Sequence, residues 1–354
     1  MTERINKIRQ VLEQEKIDAM LITNPVNRQY LSGFSGSAGV LLIGPDQAYL
    51  VTDFRYIDQA SKQAPAFEIK RWQDDLYQCL SPLVEDNRWD KLGYESEYVV
   101  CSAYSEMKEK IAGCLVPLKE TVLKQRMVKD VGEIDILRRG AEKLDRAFEF
   151  IQSLVRPGMT EKEVALELEI YLLKQGAEET SFRFIVASGS RAALPHGTAT
   201  EKVINAGEMV TLDFGGVFEG YATDMTRTFG LQKLDPRQRE IYDIVYKAQQ
   251  KASLALKPGI KASEVDAVAR DLISEAGYGS YFGHGLGHGV GLETHEQPLL
   301  NHRSKTILEP GMVVTIEPGI YLPGWGGVRI EDMLLVTDQG AETLTKSPRD
   351  LIVI

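Results

Sequence analysis

The sequence predicts an α/β protein of two domains: an N-terminal α/β domain over residues 1–124 and a larger C-terminal α+β domain over residues 125–354. A chain of 354 residues is longer than one hydrophobic core normally supports. Its first third alternates strand-like and helix-like segments, which is typical of a sheet covered by helices. The remainder contains a repeated phrase, which predicts two related halves.

The N-terminal elements follow from hydrophobic spacing. Ile5, Ile8 and Leu12 lie on one face of a predicted first helix. Short apolar runs bounded by polar residues predict buried strands, and the segments in chain order are strands at 19–22, 40–43 and 48–52, a helix over 56–63, and strands at 67–72 and 91–94.

The second domain begins with long helices. A charged stretch, 118–133, is predicted to carry the crossover, and a helix is predicted over 134–155. Thr160 and Glu163 match a capping box, so a further helix should begin there and end near Gly176.

A phrase around Pro157 recurs around Pro258, 101 residues later (258 − 157). Pro, Gly, Glu and Val recur in register, and Gly277 matches Gly176. We infer two α/β halves related by a pseudo-two-fold axis, with a ligand site between them. The alternative is a chance match of a common helix-start phrase.

Composition excludes several classes of function. A formal net charge of −10 disfavours a general nucleic-acid or anionic-membrane surface, and no run approaches the ~20 apolar residues of a membrane span. The three cysteines are widely spaced and far from the histidines, which argues against a disulfide framework. The charged, amphipathic N-terminus does not resemble a signal peptide. We therefore expect a cytoplasmic protein.

Five potential metal ligands stand in apolar or glycine-rich settings, and they are Asp213, Asp224, His288, Glu317 and Glu331. A buried carboxylate is costly unless it is paired, protonated or metal-bound. The glycines at 215, 216 and 220 suit a hairpin-like return that would bring Asp213 and Asp224 onto neighbouring strands. Glu317 and Glu331 are likewise predicted within strands.

The predicted donor set is rich in oxygen, with one imidazole nitrogen and no sulfur, which suits Mn, Co, Fe or Zn. Two divalent ions would neutralise four carboxylates and could activate a water between them. Each residue alone has an alternative as a turn former or an ion-pair partner. Glu331, for example, could pair with Arg329 or Lys305.

The segment 283–296, Gly-His-Gly-Leu-Gly-His-Gly-Val-Gly-Leu-Glu-Thr-His-Glu, resembles the histidine signature of the Xaa-Pro dipeptidases (prolidases) and Xaa-Pro aminopeptidases. The pieces around the other four candidate ligands match that family's motifs in order. The resemblance covers essentially the whole chain. It implies the family's N-terminal domain followed by a catalytic domain with the pseudo-symmetric "pita-bread" fold.

The resemblance implies a role for each residue. All five ligands would hold two divalent metals, with Mn expected, and Asp224 and Glu331 would bridge them or nearly so. Glu317 would also shuttle a proton, and His295 would stabilise the tetrahedral intermediate. His196, like His295, could also donate to an oxygen that develops negative charge. The remaining implied roles are substrate binding by His196 and His284, orientation of the bridging carboxylate by Arg329, and contacts with the pocket from Tyr321 and Phe182.

The substrate implied by the resemblance is a small peptide with proline in second position, and the implied assembly is a homodimer. A dipeptidase needs a cation for the carboxylate after proline, and Arg303 is the candidate. Some prolidases carry an arginine soon after the histidine matching His295, and residues 296–300 lack one. Dipeptidase and aminopeptidase therefore both stay open.

Three further alternatives carry less weight. Methionine aminopeptidases usually lack a large N-terminal domain. Creatinases have this fold without the metal centre. A non-catalytic peptide-binding module would have lost ligands or histidines, and this chain has them all.

Overall fold

The computed structural model describes residues 2–354 and divides the chain into two units, Met1–Arg126 and Met127–Ile354. The predicted boundary, after residue 124, lies two residues before this division (126 − 124). Each unit has its own hydrophobic core.

The helices of the N-terminal unit are α1 (Thr2–Glu15), α2 (Pro25–Ser32), α3 (Ile57–Gln63), α4 (Leu76–Asp86), α5 (Cys101–Lys110) and α6 (Thr121–Met127), whose last residue belongs to the second unit. A short 3-10 helix, Phe54–Tyr56, precedes α3. The strands are β1 (Ala19–Ile22), β2 (Val40–Ile43), β3 (Ala48–Thr52), β4 (Glu68–Arg71), β5 (Lys91–Glu95) and β6 (Cys114–Leu118).

These six strands form one mixed sheet in the order β4-β3-β2-β1-β5-β6. The central strands β1 and β2 are buried along their whole length, because each consists only of apolar residues. The structure confirms the predicted strands at 19–22, 40–43 and 48–52. The predicted helical face is also confirmed, since Ile5, Ile8 and Leu12 are its buried residues.

The helices of the C-terminal unit are α7 (Val131–Leu154), α8 (Glu161–Lys174), α9 (Pro236–Ala255) and α10 (Ala262–Glu275), with 3-10 helices at Gly189–Ala193 and Gly279–Tyr281. The strands are β7 (Glu179–Thr180), β8 (Ile185–Ser188), β9 (Met209–Phe214), β10 (Gly216–Phe218), β11 (Tyr221–Ala222), β12 (Met225–Gly230), β13 (Gly287–Gly289), β14 (Glu296–Leu300), β15 (Val313–Ile316), β16 (Gly319–Leu322), β17 (Gly326–Arg329), β18 (Asp332–Val336) and β19 (Ala341–Thr343).

Helix α7 begins earlier than predicted. Asp130 caps the helix by accepting from the backbone N–H of Glu133, whose side chain accepts in return from the N–H of Asp130. The helix therefore begins at Val131 rather than at 134, because a capping box lies inside the stretch that the sequence analysis assigned to the crossover. The second predicted capping box, Thr160 with Glu163, is confirmed at the start of α8.

The two halves of this unit are built alike. Each has a pair of helices, α7 with α8 and α9 with α10, followed by antiparallel strands. The turns before α8 and α10 make equivalent backbone hydrogen bonds: Gly158 N–H donates to Ile204 O at 3.0 Å, and Gly259 N–H to Leu308 O at 2.8 Å. Chance similarity of a helix-start phrase would not reproduce these long-range bonds, so the repeat is structural.

The sheets covered by the paired helices have the orders β12-β9-β8 in the first half and β14-β13-β15-β18-β19 in the second, and two further sheets have the orders β11-β10-β7 and β16-β17. Helices α7 and α8 pack apolar residues such as Leu144 and Leu168 against the first sheet. Helices α9 and α10 pack Val245 and Val265 against the second. No helix among residues 2–354 is long and apolar enough to cross a membrane.

We predict that Gly215→Ala destabilises the C-terminal unit by about 1–3 kcal/mol, the usual cost of forced overpacking. A Cβ at Gly215 would overlap the backbone oxygen of Thr223 and the hydroxyl of Ser181, so β9 and the following turn would have to move apart. Urea unfolding measures the change. Gly340→Ala is the matched control, because its Cβ would meet open space. Equal unfolding free energies for the two variants would contradict this prediction.

Candidate metal centre

Two aspartates come from the antiparallel pair β9 and β12. Asp213 lies in β9 opposite Thr226, and Asp224 immediately precedes β12. The chain between them makes the small hairpin of β10 and β11 and returns alongside β9. The predicted return is therefore confirmed, and it brings the two carboxylates to the same end of the β9–β12 pair.

The other three residues come from the second half. His288 lies in β13, Glu317 directly follows β15, and Glu331 lies between β17 and β18. Gly287 allows β13 to approach β15, because a Cβ there would overlap the backbone oxygen of Thr315. The prediction that Asp224, Glu317 and Glu331 lie within strands is wrong by one or two residues. Beyond the end of a strand, side chains no longer have to alternate between the two faces of the sheet. Carboxylates from several strands can therefore point to the same place.

The five residues line one cavity of about 450 Å³. Ligand atoms of Asp224, His288 and Glu331 lie within 4.8 Å of one another. The Nε2 atom of His288 is 3.3 Å from Oε1 of Glu317 and 3.8 Å from Oδ2 of Asp224. This spacing is close enough for shared ligation of an ion.

Three buried carboxylate oxygens in this cluster have no hydrogen-bond partner among residues 2–354, and they are Oδ1 of Asp213, Oδ1 of Asp224 and Oε1 of Glu331. A buried acceptor without a partner costs roughly 1–3 kcal/mol, and more when it is charged. A hard divalent cation satisfies such oxygens directly. The donor set therefore fits a divalent metal site.

The pKa shifts of the clustered side chains agree with this assignment. Burial, and then the charges of neighbouring carboxylates, raise the pKa of Asp224 and of Glu331 well above their ordinary values. Burial opposes the charge on His288, but its contact with Glu317 outweighs this and raises the pKa of His288 to about 9. The same contact, working against burial, lowers the pKa of Glu317 to about 2. A proton on His288 thus supplies positive charge where a cation would otherwise provide it.

Arg329 and Thr226 donate hydrogen bonds to two of the clustered carboxylates. The Arg329 guanidinium donates to Oδ2 of Asp213 at 2.6 Å, to the hydroxyl of Tyr321 at 2.9 Å and to Oγ1 of Thr226 at 3.1 Å. The Thr226 hydroxyl donates to Oε2 of Glu331 at 2.7 Å. Arg329 therefore forms its ion pair with Asp213, whereas Glu331 is held by a hydroxyl.

Three histidines surround the cluster. His295 is exposed at the cavity wall, and its ring centroid is 4.4 Å from that of His288. Burial, together with the charge of His288, lowers the pKa of His295, which favours a neutral ring with one N–H donor. His284 is within hydrogen-bond distance of the Tyr321 hydroxyl at 2.8 Å, and His196 lies exposed in the loop after Ala193.

Three further residues that the sequence predicts for the site, Phe182, Tyr321 and Arg303, differ in their position relative to the cavity. Phe182 lines the cavity. Tyr321 is buried behind it and connects His284 with Arg329, and burial raises the pKa of Tyr321 to about 12. Arg303 is not in the cavity lining: it is exposed, and its Nε donates to His302 at 3.1 Å.

Sequence reasoning missed four contributors. Thr226 carries a usable local signal, because its hydroxyl lies two residues after the candidate ligand Asp224. Arg183, Leu299 and Asn301 line the cavity at its edge. Nothing in their local sequence distinguishes them from surface residues, because only the tertiary fold brings them to the opening.

Comparison with known proteins finds two family models. Residues 135–338 match the metallopeptidase family M24 model, and residues 4–128 match the creatinase/prolidase N-terminal domain model. The chain is 39% identical over 356 residues to the Xaa-Pro dipeptidase of Pyrococcus furiosus, covering 99% of this chain and 100% of that one.

Solved structures are similar over the same length. An Xaa-Pro dipeptidase from Bacillus anthracis has a TM-score of 0.98 at 48% identity, covering 100% of this chain and 99% of that one. An X-Pro aminopeptidase from Thermotoga maritima has a TM-score of 0.90 at 39% identity, covering 96% and 98%.

We predict that Asp224→Asn removes one metal-binding position and the activity that depends on it, since a neutral amide is a poor ligand for a hard cation. Metal content per chain, measured by plasma emission spectrometry after dialysis against Mn²⁺, should fall relative to wild type. Asp271→Asn is the control, because Asp271 is exposed on α10. Undiminished metal content in Asp224→Asn would refute the site.

We also predict that the metal-free protein loses thermal stability as the pH rises from about 6.5 to about 9.5. Folded Asp224 and Glu331, with raised pKa, hold protons that the unfolded chain has released, so their contribution falls as pH rises. His288 acts in the same direction: its contribution is full below its ordinary 6.5 and is lost as pH passes about 9.

Bound metal replaces these protons, so the metal-loaded protein should show a much flatter profile of Tm against pH. Calorimetry on both forms measures the difference. Parallel profiles with and without Mn²⁺ would contradict the assignment.

Proposed function

The chain belongs to metallopeptidase family M24, and on that basis we propose that it hydrolyses the bond between an N-terminal residue and proline, acting as an Xaa-Pro dipeptidase. The observation that carries this proposal is the set of five converging ligands with orphaned carboxylate oxygens, surrounded by three histidines. The named dipeptidases from Pyrococcus furiosus and Bacillus anthracis, similar over the full length, support the substrate class.

We propose that two divalent ions bind, with Mn expected, held by Asp213, Asp224, His288, Glu317 and Glu331. Bound divalent ions supply an activated water at neutral pH and polarise the scissile carbonyl. The mixture of several carboxylates with one imidazole supports Mn over metals that prefer sulfur.

Glu317 is the proposed proton carrier. Of the two carboxylates in contact with His288, it is the less enclosed, with 17% of its side chain exposed against 6% for Asp224. A peptide bond to proline is a tertiary amide, and its leaving nitrogen needs a proton before it can depart. A carboxylate next to the attacking water can take that proton and deliver it to the nitrogen.

The three histidines have proposed roles in binding and charge stabilisation. A neutral His295 at the cavity wall can donate to the carbonyl oxygen as negative charge develops on it. His284, aligned by the Tyr321 hydroxyl, and His196, on the facing loop, would hold the proline-containing end of the substrate. Arg329 keeps Asp213 oriented through its 2.6 Å contact and is a positioning residue in this scheme.

Substrate length is the finer part of the proposal. The free carboxylate of a dipeptide needs a cation, and Arg303 lies outside the cavity lining. Of the two arginines in that lining, Arg329 is engaged by Asp213, while Arg183 is exposed at the edge and has no ion-pair partner among residues 2–354. Arg183 therefore replaces Arg303 as our candidate carboxylate anchor. An aminopeptidase stays the second candidate, supported by the Thermotoga maritima structure.

We further propose a homodimer in the cytoplasm, with no nucleic-acid or membrane partner. The three cysteines, which are free, fit a reducing compartment. The net charge of −10 opposes binding to polyanions. Light scattering coupled to gel filtration tests the dimer.

We predict that chelator-stripped protein resupplied with Mn²⁺ cleaves Ala-Pro faster than Ala-Pro-Ala, and that Arg183→Gln raises KM for Ala-Pro by about tenfold, as for loss of a charged contact. Ala-Pro amide should show no such change, because it lacks the carboxylate. Arg303→Gln is the matched control with unchanged KM.

Two outcomes would overturn parts of this scheme. Faster cleavage of Ala-Pro-Ala would establish the aminopeptidase alternative. Equal effects of Arg183→Gln on Ala-Pro and its amide would remove Arg183 from carboxylate binding.

A further inference from the structure

A buried carboxylate outside the metal cluster forms hydrogen bonds with both ends of the loop that carries His196. Glu161, the first residue of α8, has no exposed surface. Its Oε1 accepts from the backbone N–H and the hydroxyl of Ser188, each at 2.9 Å. Its Oε2 accepts from the N–H of Thr200 at 3.1 Å, from the Thr200 hydroxyl at 2.9 Å, and from Arg191.

These contacts fall on both ends of one loop. Ser188 ends β8, Thr200 follows the loop, and residues 189–199 lie between them. Arg191 adds a brace across the loop, because its second guanidinium nitrogen donates to the carbonyl of Thr198 at 2.8 Å. One carboxylate therefore sets where the loop begins and ends.

The loop has little apolar anchorage near its histidine. Leu194 is 53% exposed and His196 is also exposed, whereas Ala192 is the buried apolar residue of this stretch. Hydrogen bonds to one buried carboxylate thus fix His196 where side-chain packing does not. The loop also meets the catalytic centre directly, since the carbonyl of Pro195 accepts from Arg329 at 3.2 Å.

The second half also has a buried carboxylate that forms hydrogen bonds with a histidine-bearing segment, at a different position on its helix. Asp266 on α10, also without exposed surface, accepts two bonds from Arg270 at 2.7 Å and one from the N–H of Leu286 at 3.1 Å. Arg270 in turn donates to the carbonyls of Phe282 at 2.9 Å and His284 at 2.8 Å. The segment 282–286, which carries His284, is thereby held at three alternate residues.

We propose that Glu161 and Asp266 are paired positioning residues, one in each half, and that each sets the place of a single substrate-facing histidine: Glu161 that of His196, and Asp266 that of His284. This inference rests on the proposed function for its kinetic consequence, but its structural content does not depend on activity. Misplacement of a binding group by about 1 Å can cost on the order of 10²-fold in rate.

The two substitutions that test it are Glu161→Gln and Asp266→Asn. An amide keeps the size of the side chain but turns one acceptor oxygen into an NH₂ donor, which would face the N–H groups it must accept from. The matched controls are Glu169→Gln on α8 and Asp271→Asn on α10, both exposed residues on the same helices.

The first measurement is independent of activity. The chain has five histidines, so a protein labelled with ¹³C at histidine Cε1 gives five assignable NMR signals. Glu161→Gln should move or broaden the His196 signal and leave that of His284 in place, and Asp266→Asn should do the reverse. Equal shifts of both signals in either variant would show a general loosening of the fold and would overturn the proposal.

The second measurement is a double-mutant cycle on Ala-Pro hydrolysis. Glu161→Gln should lower kcat/KM by about tenfold in the wild-type background, and by less than about twofold when His196 is already alanine. It should keep its full effect in a His284→Ala background. Asp266→Asn should show the opposite pattern, with less than about twofold effect in the His284→Ala background and its full effect in the His196→Ala background. The metal content of Glu161→Gln and of Asp266→Asn should be unchanged. Full effects in every background would also overturn the proposal.

A milder variant covers the case in which Glu161→Gln fails to fold. Thr200→Val removes the hydroxyl that donates to Oε2, and with it the acceptor of the Lys202 N–H at 3.2 Å, but it leaves the bond from the Thr200 N–H to Oε2 and the ion pair with Arg191 in place. It should shift the His196 signal in the same direction by a smaller amount. An unmoved His196 signal would refute the role of Glu161. If wild-type protein cleaves no Xaa-Pro peptide while the NMR pattern holds, the proposed function fails and the positioning role stands.

Discussion

The repulsion among buried carboxylates in the C-terminal unit is the constraint on which the site depends. Asp224 and Glu331 are almost fully buried, and burial together with neighbouring negative charge raises the pKa of both. Such a cluster stays ionised at neutral pH only when positive charge is supplied to it. Arg329 supplies part of it through Asp213, and a proton on His288, whose pKa is raised to about 9, can supply another part. Divalent cations can supply the rest, and the partnerless carboxylate oxygens are available to bind them.

The fold meets this requirement by bringing strand ends together. Both halves of the C-terminal unit contribute candidate ligands from antiparallel strands that the paired helices cover with apolar side chains. Glycines allow the strands to approach more closely than any side chain would permit, as Gly287 does beside Thr315. A rigid, well-packed sheet holds the ligands in place, so the residues that must adapt to a substrate are carried on loops instead.

Those loops need a different kind of support. The loop that carries His196 has little apolar packing near that histidine, whereas the segment that carries His284 also buries Phe282 and Leu286 in the hydrophobic core. Here each histidine-bearing segment is tied to the first turns of a helix by one buried carboxylate and one arginine, Glu161 with Arg191 and Asp266 with Arg270. Hydrogen bonds are directional, and a buried one is costly to lose, so a few of them can set a loop where packing cannot. The strand-borne candidate ligands and the loops anchored by polar contacts are thus held in place in two different ways within one unit.

The sequence by itself determined the elements whose signal is local. Apolar runs located β1, β2 and β3 to the residue, the capping box located the start of α8, and the recurring proline phrase revealed the two halves, because short-range spacing and backbone chemistry specify these features. The candidate ligands were also identifiable, since a charged residue inside an apolar segment is costly without a partner. The tertiary structure alone decided what surrounds them. It brought Arg183 rather than Arg303 to the cavity, paired Arg329 with Asp213, and placed Glu161 beneath a loop up to 39 residues away in sequence. These contacts join residues with no short-range relation, so the physical reason they exist is packing of the whole unit, which no local pattern encodes.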